Sequence, residues 1–345
     1  MSRKFIVTAD DYGVSPIIDE AVKQAVRMGI VTSVACFANK RDDNNNFTMQ
    51  SVRELKNEFG EVEIGCHFTI TSGDWMAATG SDLGRKGGKS PKFRRKAWQH
   101  PERAIKDDTL PVPVDELVDE LTAQVEAFRQ EGIKIEHFSD HMGILSYTKK
   151  GMEAMITVIN NYNQAENLNS PMRNPIFISR VPNLNGTCLK KSTMSARGAL
   201  GAGIKALLQR NKWENISLRA TRLNRQLEMV NTSGIQSTDY LIESYYGSAS
   251  RARLKCIHRN APNNRYKTRN PISASDVTSE IMVHLAVAPG DGVNVRDYET
   301  EVKRLKKHGG VAVNYLKKKR IEEFEILKQH FSSSFPASEL GKFNH

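Results

Sequence analysis

The chain reads as an α/β protein built on a parallel sheet or barrel. Two observations predict this. Short apolar runs alternate with longer stretches of helical period over the first 150 residues, and a β-α-β-α-β-α-β order is what parallel strands joined by crossover helices produce. The acids and imidazoles also recur where those apolar runs end, and in parallel folds strand ends share one face.

The elements follow in order. "KFIVTA" reads as a strand and "SPIIDEAVKQAVRMG" as a helix, with Ser15 as N-cap, Pro16 at the first position and Gly29 at its end. "VTSVACFAN" is the next strand, "NFTMQSVRELKNEFG" a helix and "VEIGCHFTI" a strand. "PVDELVDELTAQVEAFRQEG" repeats Leu117, Leu121, Val125 and Phe128 at helical spacing, and strand "KIEHFSDH" follows. Residues from about 160 to 275 are polar, basic and poor in clean periods, and read as an insertion with helices such as "ARGALGAGIKALLQRNKW" and "SLRATRLNRQLEMVN". "SEIMVHLAVAPG" restores the strand pattern and "YETEVKRLKKHG" adds a helix.

Composition narrows the classes. At 345 residues and 39% hydrophobic content the chain can bury a sizeable core. The apolar run "FIVTA" is too short for a signal peptide, and no run approaches the length of a membrane span, so a cytoplasmic protein without membrane partners is expected. Cys36, Cys66, Cys188 and Cys256 are scattered without a CxxC pair, as reduced thiols and not as a disulfide frame. The net charge is +11. It gathers in 83–100 and 251–270, which hold no acid, and in Arg180 to Arg225, where Glu214 stands alone. Such stretches can follow phosphates, but no nucleic-acid motif accompanies them, and solvated loops and helix faces are the plainer reading.

Five residues stand at strand ends: Asp10 and Asp11 after the first strand, His67 in "GCHFTI", His141 after "HFSD" and His284 in "EIMVH". Singly, each has a bland reading, as a turn carboxylate or a hydrogen-bonded core histidine. Together they form a set. Asp plus two His offers one oxygen and two nitrogens, suited to Zn²⁺ or a related divalent ion with a position left for water. A second carboxylate beside it could take that water's proton. Cys66 and His67 are adjacent on a strand, so they face opposite ways and do not share an ion. Asp10 and Asp11 are expected to point apart for the same reason. His100, His258 and His308 read as surface residues.

"TADDYG", "GIVTSVACFAN", "IGCHFTITSG", "DELVDELTAQVEAFRQEGIKIEHFSDH" and "EIMVHLAVAPG" resemble, in order and spacing, the motifs of the YdjC-like carbohydrate deacetylases. "VRDYETEVKRL" is similar to that family's C-terminal helix. The resemblance covers roughly 1–75, 111–150 and 276–320. It implies a (β/α) barrel-like metallohydrolase over 1–345, with basic insertions: a loop at about 76–110 and a larger one at about 160–275. It further implies one divalent ion, Zn²⁺ or Mg²⁺, on Asp11, His67 and His141, with Asp10 as general base and His284 as the acid near the leaving amine. The substrate implied is an acetylated amino-sugar oligosaccharide, with a homodimer as one possible assembly. Tyr12 and Trp75 are candidates for sugar contact or for packing. The basic insertions motivate two alternatives: an anionic glycan as substrate, or an inactive polyanion-binding barrel. The chain departs from the family pattern at Ser139, where an Asp is common, at Gly143, where a His is frequent, and at "HLAVAPG", where the family has His-Pro.

Overall fold

The computed structural model describes residues 3–40, 49–73, 75–77, 110, 112–175, 224–242, 271–273, 276–308 and 315–343. The basic stretches at 83–100 and 251–270, Cys188, Cys256, His100, His258 and the side chain of His308 lie outside them.

The predicted alternation is observed. It runs β1 (Arg3–Tyr12), α1 (Pro16–Arg27), β2 (Ser33–Cys36), α2 (Gln50–Glu58), β3 (Glu63–Phe68), α3 (Val114–Gln130), β4 (His137–Asp140) and α4 (Lys149–Glu166). A helical stretch over 224–233 follows, then β5 (Tyr240–Ile242), β6 (Val277–Val283), α5 (Val295–His308), a π-helical turn Tyr315–Arg320 and α6 (Ile321–His330). Ser15 does cap α1, accepting a bond from the Ile17 amide, and Pro16 opens it. Ile17, Ile18, Ala21, Val22 and Ala25 are buried along one stripe of that helix.

The strands form one parallel sheet in the order β4-β3-β2-β1-β6-β5. Its two edges meet. Phe138 of β4 bridges to Met172, and Met172 bridges to Ser237, three residues before β5. The Arg173 amide donates to the Phe138 carbonyl at 2.7 Å, and the Met172 amide to Gln236 at 3.0 Å. The segment around Met172 is thus a short stave that curls the sheet into a barrel. Part of the region expected as an insertion therefore builds the barrel. Met172 and β5 both lie within residues 160–275.

Side chains alternate across the strands as a period of two demands. Val7, Ala9, Val34, Cys36, Ile64, Cys66, Phe138, Ile281 and Val283 join the hydrophobic core. Their neighbours Thr8, Asp10, Ser33, His67, His137, Ser139 and Glu280 are buried as well, but polar. These polar side chains bond one another: Ser33 Oγ lies 3.1 Å from His137 Nδ1, and His67 Nδ1 lies 2.7 Å from Ser139 Oγ. Cys66 and His67 fall on opposite faces, as expected. Gly65 pairs in register with His137, and a Cβ there would meet the imidazole at 2.1 Å, so the crossing needs glycine. The C-terminal residues seal the N-terminal end of the barrel. Leu340 bridges to Phe5, the Phe343 amide donates to Glu63 Oε2, and the Phe343 ring stacks on His137 at 4.4 Å. No described helix is long and apolar enough to cross a membrane.

Candidate metal centre

At the other end of the barrel, Asp10 and Asp11 end up together and not apart. Asp11 has φ of +70°, and the β1–β2 register shifts between Ala9 and Tyr12. This left-handed residue turns the second carboxylate back beside the first; Asp is among the few residues that tolerate it. Both acids then face one nitrogen: His67 Nε2 lies 3.4 Å from Asp11 Oδ1 and 3.9 Å from Asp10 Oδ2.

His141 follows β4 at the start of a tight turn through Met142 and Gly143, both with positive φ. Its Nδ1 lies 3.0 Å from the same Asp11 Oδ1. Asp140 takes no part: its Oδ2 accepts the Leu145 and Ser146 amides at 3.0 Å each and fixes the turn. Gly143 is constrained too, because a Cβ there would lie 2.6 Å from the Tyr147 ring. The histidine frequent in the family at that position has no room in this chain. Ser139 takes over a supporting role. Its hydroxyl at His67 Nδ1 orients the ring and leaves Nε2 turned to the acids. Phe37 packs edge-on against both imidazoles, at 5.1 Å from His67 and 5.2 Å from His141.

Asp11, His67 and His141 are all buried and each offers one ligand atom within a common 4.8 Å. Ligands about 2.0–2.2 Å from a tetrahedral Zn²⁺ stand roughly 3.3 Å from one another. The contacts of 3.0 and 3.4 Å to Asp11 Oδ1 match that spacing. The donor set and its separations fit a divalent ion.

Two arginines that sequence reasoning missed neutralise the acids. Arg173 forks onto Asp10, and Arg320 Nη2 bonds Asp11 Oδ2. Burial alone would push the Asp10 carboxyl up, but Arg173, helped by His67 and His284, holds it below the ordinary value. Burial likewise opposes the charge on Asp11, and Arg320 with His141 outweighs it and holds that carboxyl well below the usual range. Arg173 also bonds Glu280 Oε1 at 2.7 Å, yet burial keeps the Glu280 carboxyl above its ordinary value. His284 directly follows β6, and its amide donates to Glu323 Oε1 at 3.0 Å. Burial, then Arg320, brings its imidazole down to about 4, with Asp11 and Asp10 pulling the other way.

The two candidates for sugar contact divide. Tyr12 is fully buried, with its hydroxyl on the Ser51 carbonyl, so it packs. Trp75 is half-buried and its indole donates to the Ile70 carbonyl at 3.4 Å. The loop that carries it is pinned by Glu120 Oε2, which accepts the Met76 and Ala77 amides at 2.7 and 2.9 Å.

Fold and site together define a barrel-like α/β protein with a buried Asp-His-His group able to hold a divalent ion. Over residues 4–334 the chain matches the family model described as YdjC-like protein, and it belongs to that family. A carbohydrate deacetylase of Listeria monocytogenes serotype 4a (strain HCC23) is 30% identical over 141 residues, 41% of this chain and 52% of that protein. A chitooligosaccharide deacetylase of Klebsiella pneumoniae subsp. pneumoniae is 31% identical over 147 residues, again 41% and 52%. The chain spans about half the length of the curated relatives it matches. Among solved structures, a candidate cellobiose-phosphate cleavage protein of Enterococcus faecalis V583 shares the fold. Its TM-score is 0.54 at 13% identity, with 99% of this chain and 98% of that one covered.

Proposed function

We propose that this protein is a metal-dependent hydrolase that removes the N-acetyl group from an amino-sugar oligosaccharide. One observation carries the reading: a second buried carboxylate, Asp10, sits beside the Asp11–His67–His141 group, 3.9 Å from His67 Nε2. A structural metal site has no use for it, whereas hydrolysis needs a base next to the ion. The names of the curated relatives support acetylated sugars as the substrate class.

Asp11, His67 and His141 would hold the ion, and two nitrogens with one oxygen favour Zn²⁺ over Mg²⁺. The ion supplies Lewis acidity, making a water more acidic and polarising the acetamide carbonyl. Asp10, kept ionised by Arg173, takes the proton of the attacking water. His284 is neutral at pH 7 in the free protein, so it donates only after receiving a proton. Asp10 and His284 are near enough to shift each other's titration, and the proton collected at Asp10 is the one His284 hands to the leaving nitrogen. The C–N bond breaks, and acetate and a free amine result. Phe37 walls one side of both imidazoles and keeps water from their rings there.

The test is acetate release from acetylated chitobiose by protein loaded with Zn²⁺, compared with His67→Ala. Release by the wild type, abolished in the variant, is expected; equal rates in both would refute the reading. The net charge of +11 supports a second substrate class, anionic acetylated glycans. Faster turnover of an anionic glycan than of chitobiose in the same assay would favour it.

A further inference from the structure

Each of the two buried acids has its own guanidinium. Arg173 serves Asp10; Arg320 serves Asp11. The second pairing is unusual for a metal site, because Asp11 is the carboxylate shared by both histidines. Its Oδ1 faces His67 Nε2 and His141 Nδ1, while Oδ2 is taken by Arg320. Arg320 is 4% exposed in its side chain and ends the π-helical turn Tyr315–Arg320. Single π-turns collect at functional positions in helices. Three residues further on, in α6, Glu323 bonds the His284 amide. One helix start therefore delivers a cation to the metal ligand and an acceptor to the backbone of the candidate acid.

The charge balance gives Arg320 a consequence beyond structure. An acid that is already neutralised by a buried guanidinium gains less from a divalent ion, and the two cations repel across one carboxylate in a site of low polarity. We infer that Arg320 is a resident counter-charge that competes with the divalent ion for Asp11, and so sets how tightly the ion is held. This rests on the proposed ion at Asp11, His67 and His141. Arg320 acts through Asp11 and is a positioning residue. With Oδ2 bound to it, Asp11 presents a single oxygen to the histidines. By linkage, the ion must weaken the contribution of Arg320 to stability by the same factor that Arg320 weakens the ion.

The experiment is a cycle of Zn²⁺ removal and Arg320 substitution. Zn²⁺ affinity is measured by competition with a chelator for wild type, Arg320→Met, Arg320→Lys and His67→Ala, and Tm is recorded with and without the ion. Arg320→Met is expected to bind Zn²⁺ more tightly by about tenfold or more. Its Tm should fall without the ion and recover more than the wild type's when Zn²⁺ is added. Arg320→Lys keeps the charge without the planar fork and should lie between the two. Equal or weaker Zn²⁺ binding in Arg320→Met, or the same Tm loss with and without Zn²⁺, would overturn the inference and leave Arg320 a structural ion pair. If Arg320→Met does not fold, Arg320→Lys decides by the same direction of change. Should the wild type bind no Zn²⁺, or His67→Ala bind it equally well, the metal reading itself fails first.

Discussion

Arg173 and Asp10 are joined by two hydrogen bonds, Nη1 to Oδ2 at 2.6 Å and Nη2 to Oδ1 at 2.7 Å. The same guanidinium reaches Glu280 Oε1 at 2.7 Å, so one buried cation holds two carboxylates from β1 and β6. It comes from the stave at Met172, the piece that closes the barrel. The closure and the candidate base are thereby coupled.

Arg173→Met would leave Asp10 and Glu280 buried without their cation. A loss of about 3–5 kcal/mol is expected on breaking such a pair. The sign with pH follows from Asp10. Its carboxyl is held below the ordinary value when folded, so it adds stability above the unfolded value and loses it as pH falls through the folded one. Without Arg173, burial dominates and the folded value rises instead, so the variant takes up a proton on folding. Urea unfolding at pH 7 and pH 5 should show the gap between wild type and variant narrowing at the lower pH. A gap independent of pH would mean that Asp10 is not the partner that matters.

The two adjacent acids should separate in kinetics. Asp10→Asn keeps the size but accepts no proton from water, and it retains only one of the two Arg173 bonds because its amide nitrogen cannot accept. It should retain the metal and lose on the order of 10²- to 10⁴-fold in kcat. Asp11→Asn should lose metal affinity, and added Zn²⁺ should restore part of its rate. Acetate release over a Zn²⁺ titration distinguishes them. Rescue of Asp10→Asn by metal would exchange the two roles.

Much of this site is legible in the sequence because strand ends converge in a parallel barrel. Asp10, His67 and His141 come to one end of the barrel for that reason, and His284 follows β6 into the same neighbourhood. The direction of Asp11 is not legible. A period of two sends neighbours to opposite faces, and only the positive φ at Asp11 overrides it. Arg173 and Arg320 are hidden for another reason. Each sits where no periodic pattern marks an element, in a stave bridged at a single residue and at the end of a π-helical turn. β5 has three residues, too few for alternation to show, so the middle of the chain reads as an insertion. Ser139 looks like a loss when set against the family pattern, yet its hydroxyl sits 2.7 Å from His67 Nδ1.

That hydroxyl gives the next prediction. Ser139→Ala removes the group that fixes the His67 ring without touching a ligand. Losing such outer support typically weakens metal binding by about 10- to 100-fold. Zn²⁺ competition should show that loss with little change in the Tm of the metal-free protein. Unchanged affinity would leave Ser139 as packing only.

The last prediction concerns Asp19, in the first turn of α1. Its Oδ1 accepts the Gly13 amide at 2.7 Å and so fixes the turn that follows Asp10 and Asp11. Burial pushes its carboxyl up to about 6, with Lys40 and the Gly13 amide opposing. A carboxyl raised on folding binds its proton more tightly in the folded state. Stability therefore rises as pH drops through about 6 toward the unfolded value near 3.8. At pH 7 the buried charge costs stability: a shift of two units corresponds to about 3 kcal/mol, as an upper order of magnitude. Asp19→Asn keeps the acceptor for Gly13 and removes the charge. The substitution should stabilise the protein at pH 7 relative to pH 5, when each is compared with wild type by urea unfolding. The loss of the Lys40 pair at 3.6 Å works against it and should be the smaller effect, since Lys40 is partly exposed. If Asp19→Asn destabilises equally at both values of pH, Asp19 is ionised without penalty, and its role is the ion pair with Lys40.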